Sequence, residues 1–224
     1  MKAEKIYTIA ELYDLSHTRA AKLFEGKTYP WEVLPLIEDF IYELGKSLPE
    51  DEFDQISPGV WVAKDAKVYP TAFIGAPCII DHNAQVRHCA FIRGSAIVGQ
   101  GTVVGNSVEL KNVILFDNVE TPHYNYVGDS VLGWHAHMGA GSITSNVKSD
   151  RKLVDIKAED EKIETGRKKV GAMLGDWVEV GCNSVLNPGT VIGPHTVVYP
   201  TSSVRGVIPA NSIYKDAEDI VERK

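Results

Sequence analysis

The residues best suited to chemistry lie between Arg93 and Asn146. His123 stands in the segment TPHYNY, three residues ahead of Tyr126. An imidazole titrates near neutral pH and can take a proton from an attacking nucleophile. Arg93 and Lys111 stand three hexads apart in the chain. A guanidinium offers phosphate a two-pronged fork, and an ammonium adds a point charge. Read as residues alone, the alternatives are an exposed loop histidine for His123, which the sequence by itself favours, and surface charge for the two cations, which their shared spacing disfavours.

The elements that position these residues follow from a period of six. Ile56, Val62, Val68, Ile74, Ile80, Val86, Ile92, Val98, Val104, Leu110 and Phe116 are all apolar. Four residues after most of these anchors sits a small or β-branched residue, such as Ala66, Ala72, Cys78, Ala84, Ala90, Ala96 and Thr102. Helices repeat near 3.6 and flat strands at 2. A period of six is the signature of a parallel β-helix. If three hexads close a turn, Arg93 and Lys111 lie one above the other.

The beat stops near His123 and resumes in a new phase at Leu132, Met138 and Thr144. It runs again through Leu174, Val180, Leu186, Ile192, Val198 and Val204. The step from Phe116 to Leu132 is not a whole number of hexads, which predicts a register break at His123. The step from Thr144 to Leu174 is a whole number of hexads, which predicts a loop at about 147–170 that leaves the helix and rejoins it in phase. That loop carries Lys148, Lys152, Lys157, Lys162, Arg151, Arg167, Lys168 and Lys169 among many acids. It reads as a solvated hairpin or as a lid over a phosphate, with Arg167, Lys168 and Lys169 as its basic end.

The chain has 224 residues, a net charge of −7 and no long apolar run. These numbers argue against nucleic acid and membrane partners and predict a cytoplasmic protein. Three cysteines at positions 78, 89 and 182 lack metal spacing, and Cys78 reads as a small core filler. Residues 1–54 lack the beat. Helical spacing over Thr8–Phe24 and Val33–Leu48 predicts a short hairpin capping the open first coil, since uncovered strand edges aggregate. Residues 55–215 form the β-helix, and residues 216–224 a short helix or frayed tail.

The segment Gly105–Asn146 reads GNSVELKNVILFDNVETPHYNYVGDSVLGWHAHMGAGSITSN. Its GN-VE-K, H-x-x-Y-x-GD and GAG-IT-N pieces resemble the acetyltransferase half of the bifunctional bacterial enzyme of UDP-N-acetylglucosamine biosynthesis. The likeness runs from Arg93 to about Val204. The insertion with TGRKKVG and the stretch YPWEVL at Tyr29–Leu34 resemble the archaeal-type sugar-1-phosphate branch. No Gly-rich start resembling the uridylyltransferase pyrophosphate loop precedes the repeats, so nucleotide transfer is not expected of this chain.

The resemblance implies a mainly β fold, a left-handed parallel β-helix with a short N-terminal α-helical cap, assembled as a homotrimer. It implies acetyl-CoA as co-substrate and an amino-sugar-1-phosphate, glucosamine- or galactosamine-1-phosphate, as acceptor. His123 is then the general base, with Glu109 holding its imidazole or a sugar hydroxyl and Asn146 near the acetyl group and amine. Arg93, Lys111, Tyr126 and Lys152 contact the sugar phosphate. His137 stands where the family has Asn reading the sugar. Gly139 and Ala140 supply backbone N–H groups for the acetyl carbonyl. Cys182 replaces a family Ser at the coenzyme site, and Pro200 removes an N–H there. No metal is expected, because the histidines do not match the spacing of the γ-class carbonic anhydrases that share the β-helix. The alternative is a non-catalytic sugar-nucleotide-binding or scaffold trimer that partners a separate nucleotidyltransferase.

Overall fold

The computed structural model describes Ala3 and residues 5–223. Met1, Lys2, Glu4 and Lys224 lie outside the described residues, and with them the outer ends of the expected cap and tail.

Short strands coil into a parallel β-helix with three faces per turn. On the first face Val60–Ala63 pairs with Cys78–Ile80, and that strand with Ala96–Val98. On the second, Lys67–Val68 pairs with Gln85–Val86. On the third, Phe73–Ile74 pairs with Phe91–Ile92. Val60 faces Cys78, so three hexads do close one turn. The alternation of a strand points one residue in and the next out. The inward residues are the anchors: Ile80, Val86, Ile92, Val98, Val104 and Leu110 are all fully buried. The small slots take Thr102 and Thr196, whose hydroxyls donate to the carbonyls of Phe116 (2.8 Å) and Pro209 (2.6 Å). The first hexads fit the pattern less well. Ile56 is 56% exposed and Val68 37%, and Ile56 belongs to a terminal hairpin rather than to a coil.

The register change differs from the one expected. Ile92 pairs with Leu110, a full three hexads on. Val98, however, pairs with Leu115, and Leu110 with Val127, each one residue short of three hexads. The beat therefore does not stop at His123. It loses one residue at Leu110–Leu115 and another at Val127–Leu132, and Thr121 and Val127 keep it between. Leu115, not Phe116, is the anchor. The apparent break at His123 came from counting from its neighbour.

The N-terminal segment is not an end plug. It lies along the first face. The outward residues there, Ile79, Ile97, Ile114, Val131, Met173 and Val191, are almost wholly buried, which an uncovered β-helix face would not permit. Helix α1 (Ile9–Leu12) is a single turn, followed by 3₁₀ turns at Leu15–His17, Ala21–Phe24 and Pro30–Val33. Helix α2 (Ile37–Gly45) is the one sustained helix among the described residues. The first helix of the hairpin expected over Thr8–Phe24 is thus replaced by short turns. The segment touches widely spaced coils. Tyr7 accepts a hydrogen bond from the Ala210 N–H (2.9 Å), and the Asp176 N–H donates to the Leu12 carbonyl (3.0 Å). At its far end Gly45 meets Trp61 so closely that a Cβ would stand 2.5 Å from the ring.

The open edges are closed by antiparallel strands instead. Phe53–Ser57 folds back on Val60–Ala63 at the first coil. Ile220–Glu222 folds back on Ser212–Tyr214 at the last, where a helix or frayed tail was expected. Such a turned-back strand blunts a template for aggregation. The insertion leaves after Thr144 and rejoins in phase, since Leu132 pairs with Leu174. It is an antiparallel hairpin of Asp155–Lys157 and Lys162–Glu164, anchored by the fully buried Val154 and Ile156.

Candidate active site

Face 3 carries the candidate residues, bounded by two corners. Its strands are short, so the corners stay close.

One corner is a column. His123 pairs with Asn106 above it. Ala140 and Cys182 follow below at the same place in the coil, because His137 pairs with Glu179 on the preceding strand. Asn125, 2% exposed, fixes this corner. Its Oδ1 accepts the His123 N–H (3.2 Å), and its Nδ2 donates to the Gly139 (2.9 Å) and Ser142 (3.0 Å) carbonyls. The His123 carbonyl accepts the Gly141 N–H (3.0 Å). The His123 side chain is exposed, and it has no hydrogen-bond partner among the described residues. The Ala140 N–H also has none there, while the flanking N–H groups of Gly139 and Gly141 are both used. The column thus sets His123 one coil above Ala140, with the imidazole and the Ala140 N–H both unpaired among the described residues.

The opposite corner is built on a buried carboxylate. Asp129, at φ 49°, is 2% exposed. It accepts from Lys111 Nζ (3.1 and 3.3 Å), Asn112 Nδ2 (2.9 Å) and Asn146 Nδ2 (2.6 Å). Asn146 Nδ2 also donates to the Tyr126 hydroxyl oxygen (3.1 Å). That leaves the phenolic proton free to donate elsewhere. Burial pushes the Tyr126 phenol up, against the pull of the Asn146 bond. The hydroxyl therefore stays protonated at neutral pH. Sequence reasoning quoted Asp129 within a motif but gave it no role. Its signal was a conformation that non-glycine residues seldom adopt, visible only in the structure.

Between the corners stand Glu109 and Tyr126, paired on adjacent strands. Glu109 Oε1 accepts from Arg93 Nη1 at 2.9 Å. The carboxylate holds the guanidinium above its ordinary pKa, chiefly through that hydrogen bond. Glu109 thus orients Arg93 rather than the His123 imidazole, the first of its two expected roles. Arg93 and Lys111 do lie one above the other, since Ile92 and Leu110 pair.

Two expected residues are not brought here. His137 lies on face 2, where its Nδ1 meets Glu120 Oε2 at 3.0 Å. Tyr126 belongs to face 3, so a corner separates the two. Lys152 is exposed on the insertion, and its N–H donates to Asp150 Oδ1 (3.0 Å).

The GMPPB C-terminal domain family model matches residues 74–208. A bifunctional sugar-1-phosphate nucleotidylyltransferase/acetyltransferase of Sulfurisphaera tokodaii is 27% identical over 190 residues, covering 83% of this chain and 47% of the relative. A bifunctional protein GlmU of Methanococcus maripaludis is 29% identical over 199 residues, covering 88% and 48%. That of Methanococcus aeolicus is 34% identical over 136 residues, covering 60% and 33%. The chain spans about half the length, or less, of these relatives. Among solved structures, the acetyltransferase domain of PglB from Neisseria gonorrhoeae is 14% identical, with a TM-score of 0.36, covering 90% of this chain and 76% of that one. The matched stretch takes in both corners of face 3, and the chain belongs to the GMPPB C-terminal domain family, with homologues among GlmU-type bifunctional nucleotidylyltransferase/acetyltransferases.

Proposed function

We propose that this chain transfers the acetyl group of acetyl-CoA to the amine of an amino-sugar-1-phosphate. The observation that carries the reading is the His123 column: an imidazole with no partner in the described residues, one coil above the free Ala140 N–H. The amine nitrogen attacks the thioester carbonyl and must lose a proton as the C–N bond forms. His123 takes that proton. The carbonyl oxygen gains negative charge, and the Ala140 N–H donates to it. Collapse of the adduct breaks the C–S bond, and coenzyme A leaves as the thiol. Arg93, Lys111 and Tyr126 hold the phosphate and sugar from the other side of face 3.

Support for acetyl transfer and a sugar-1-phosphate comes from the Sulfurisphaera tokodaii relative, whose name states sugar-1-phosphate nucleotidylyltransferase and acetyltransferase activities. Support for self-association, the coarser part of the homotrimer expectation, comes from face 3 itself. Phe73 and Phe91 are 60% and 43% exposed, with ring centroids 5.6 Å apart, beside the site. A second copy of the chain covering them would wall in the cleft. No helix among the described residues is long and apolar enough to cross a membrane.

The test is thiol release from acetyl-CoA by the purified chain, with glucosamine-1-phosphate and galactosamine-1-phosphate offered in parallel. Release that disappears in His123→Ala supports the transferase. No release with either acceptor at high protein concentration would favour a binding or scaffold module instead.

A further inference from the structure

One place in the interior changes character at the coil that carries His123. The residue just before each face 3 strand stacks on its counterpart in the next coil, since the strands that follow pair in register. Above His123 this place is apolar, held by Ala90 and Val108. At the His123 coil it becomes Asn125, and below it Ser142 and Ser184. All five are buried. A buried amide costs free energy unless its hydrogen bonds are met. An alanine or valine fills the same slot in the coils above without that cost.

The bonds of Asn125 converge on one peptide group. Its Nδ2 donates to the Gly139 carbonyl (2.9 Å). The Ser142 hydroxyl (2.7 Å) and N–H (3.1 Å) donate to the same oxygen. That oxygen belongs to the peptide group whose N–H is that of Ala140. A trans peptide sets its C=O and N–H on opposite sides. Holding the oxygen inward therefore holds the Ala140 N–H outward, where it is unpaired among the described residues. Donors on a carbonyl also polarise its amide and strengthen the N–H as a donor. The other end of the side chain, Oδ1, accepts the His123 N–H at 3.2 Å. One buried side chain thus ties the backbone of the proposed base to the aim of the proposed oxyanion donor.

We infer that Asn125 is a positioning residue for acyl transfer: it sets the Gly139–Ala140 peptide against His123 and raises kcat without touching either substrate. The inference rests on the transferase reading. Ser142 is its second support on the Gly139 carbonyl. Asn125→Asp keeps the shape and the acceptor for His123 but loses the donor to Gly139. Burial raises the pKa of the introduced carboxyl. Its neutral form has one O–H to give to a carbonyl, and its ionised form has none.

The experiment is thiol release from acetyl-CoA against pH for the wild type, Asn125→Asp and Ser142→Ala, with glucosamine- or galactosamine-1-phosphate as acceptor. The Ala140 amide resonance is followed alongside, in protein made with nitrogen-15-labelled alanine. Asn125→Asp is expected to lower kcat by about tenfold to a hundredfold above the carboxyl pKa, short of what losing an oxyanion donor outright costs. Neither KM should change much. Relative to wild type at the same pH, the loss should shrink as pH falls and the carboxyl takes up a proton. Ser142→Ala should lose less, with no such pH dependence. The Ala140 resonance should move in both variants. A folded Asn125→Asp with wild-type kcat overturns the inference, as does a loss that is the same at every pH while the Ala140 resonance stays in place. If that variant does not fold, Ser142→Ala decides: unchanged kcat with an unmoved resonance overturns the inference. A wild-type chain that releases no thiol fells the transferase reading. A shifted Ala140 resonance in Asn125→Asp would then still support the clamp on the peptide, and an unmoved one would overturn both.

Discussion

Lys111 and Asp129 face each other across adjacent coils, the ammonium 3.1 Å from one carboxylate oxygen and 3.3 Å from the other. The carboxylate also gathers Asn112 and Asn146, and through Asn146 it sets the Tyr126 hydroxyl. Asp129→Asn would turn an NH₂ toward donors that need an acceptor. Leaving such groups unpaired costs about 1–3 kcal/mol. We expect that loss in urea unfolding, with a raised KM for the sugar phosphate and little change in KM for acetyl-CoA. Equal increases in both would remove Asp129 from the sugar-phosphate side.

His123 makes no side-chain hydrogen bond among the described residues, so its removal should not disturb the fold. His123→Ala is expected to melt with the wild type and to lower kcat by roughly 10²–10⁴-fold, the usual range for losing a general base. KM for the sugar phosphate should hardly move. A variant that keeps most of its kcat would show that the amine is deprotonated elsewhere.

The six-residue beat was readable because each coil buries one anchor per face, and no other structure needs that spacing. The two shortened steps were hidden by Phe116. It follows the true anchor Leu115 and is itself apolar, so counting through it kept the beat alive one six-residue step too long. Phe116 is buried because it meets the N-terminal segment, at 5.1 Å from Tyr13 and 5.8 Å from Phe24 between ring centroids. A second signal lay unread. Ile79, Ile97, Ile114, Val131, Met173 and Val191 each precede an anchor of the first face, whereas on face 2 that place is mixed, with Lys67, Gln85, Glu120 and Glu179 beside Val103 and Val197. Apolar doublets once per turn mark the face that another segment must cover. The pairing of Glu109 with Arg93 rather than with His123 was not readable, because spacing along a coil does not say which way a side chain turns at a corner.

Phe116→Ala tests that packing. Truncating a fully buried Phe costs about 3–5 kcal/mol. The loss should fall first on the docked segment, since the Leu115 anchor remains. Limited proteolysis is expected to cleave within residues 5–48 of the variant at protease levels that spare the wild type. Unchanged cleavage there would mean that the segment is held by its other contacts, with α2 and Trp61 dominant.

The cysteines give a reading of the proposed coenzyme side without any turnover. Cys78 is buried, and burial pushes its thiol far above the usual range. It should resist alkylation in the folded protein, because the thiolate is the reactive form. Cys89 and Cys182 are exposed and should react. Cys182 shares the corner column with Ala140, one coil below it, whereas Cys89 lies at the same corner two coils above Tyr124, away from the Ala140 side. Coenzyme A bound along the column below His123 would cover Cys182 and leave Cys89 open. Alkylation followed by peptide mass spectrometry, with and without coenzyme A, should therefore show protection at position 182 alone. Equal labelling of both cysteines in saturating coenzyme A would place the coenzyme elsewhere and detach Ala140 from the oxyanion.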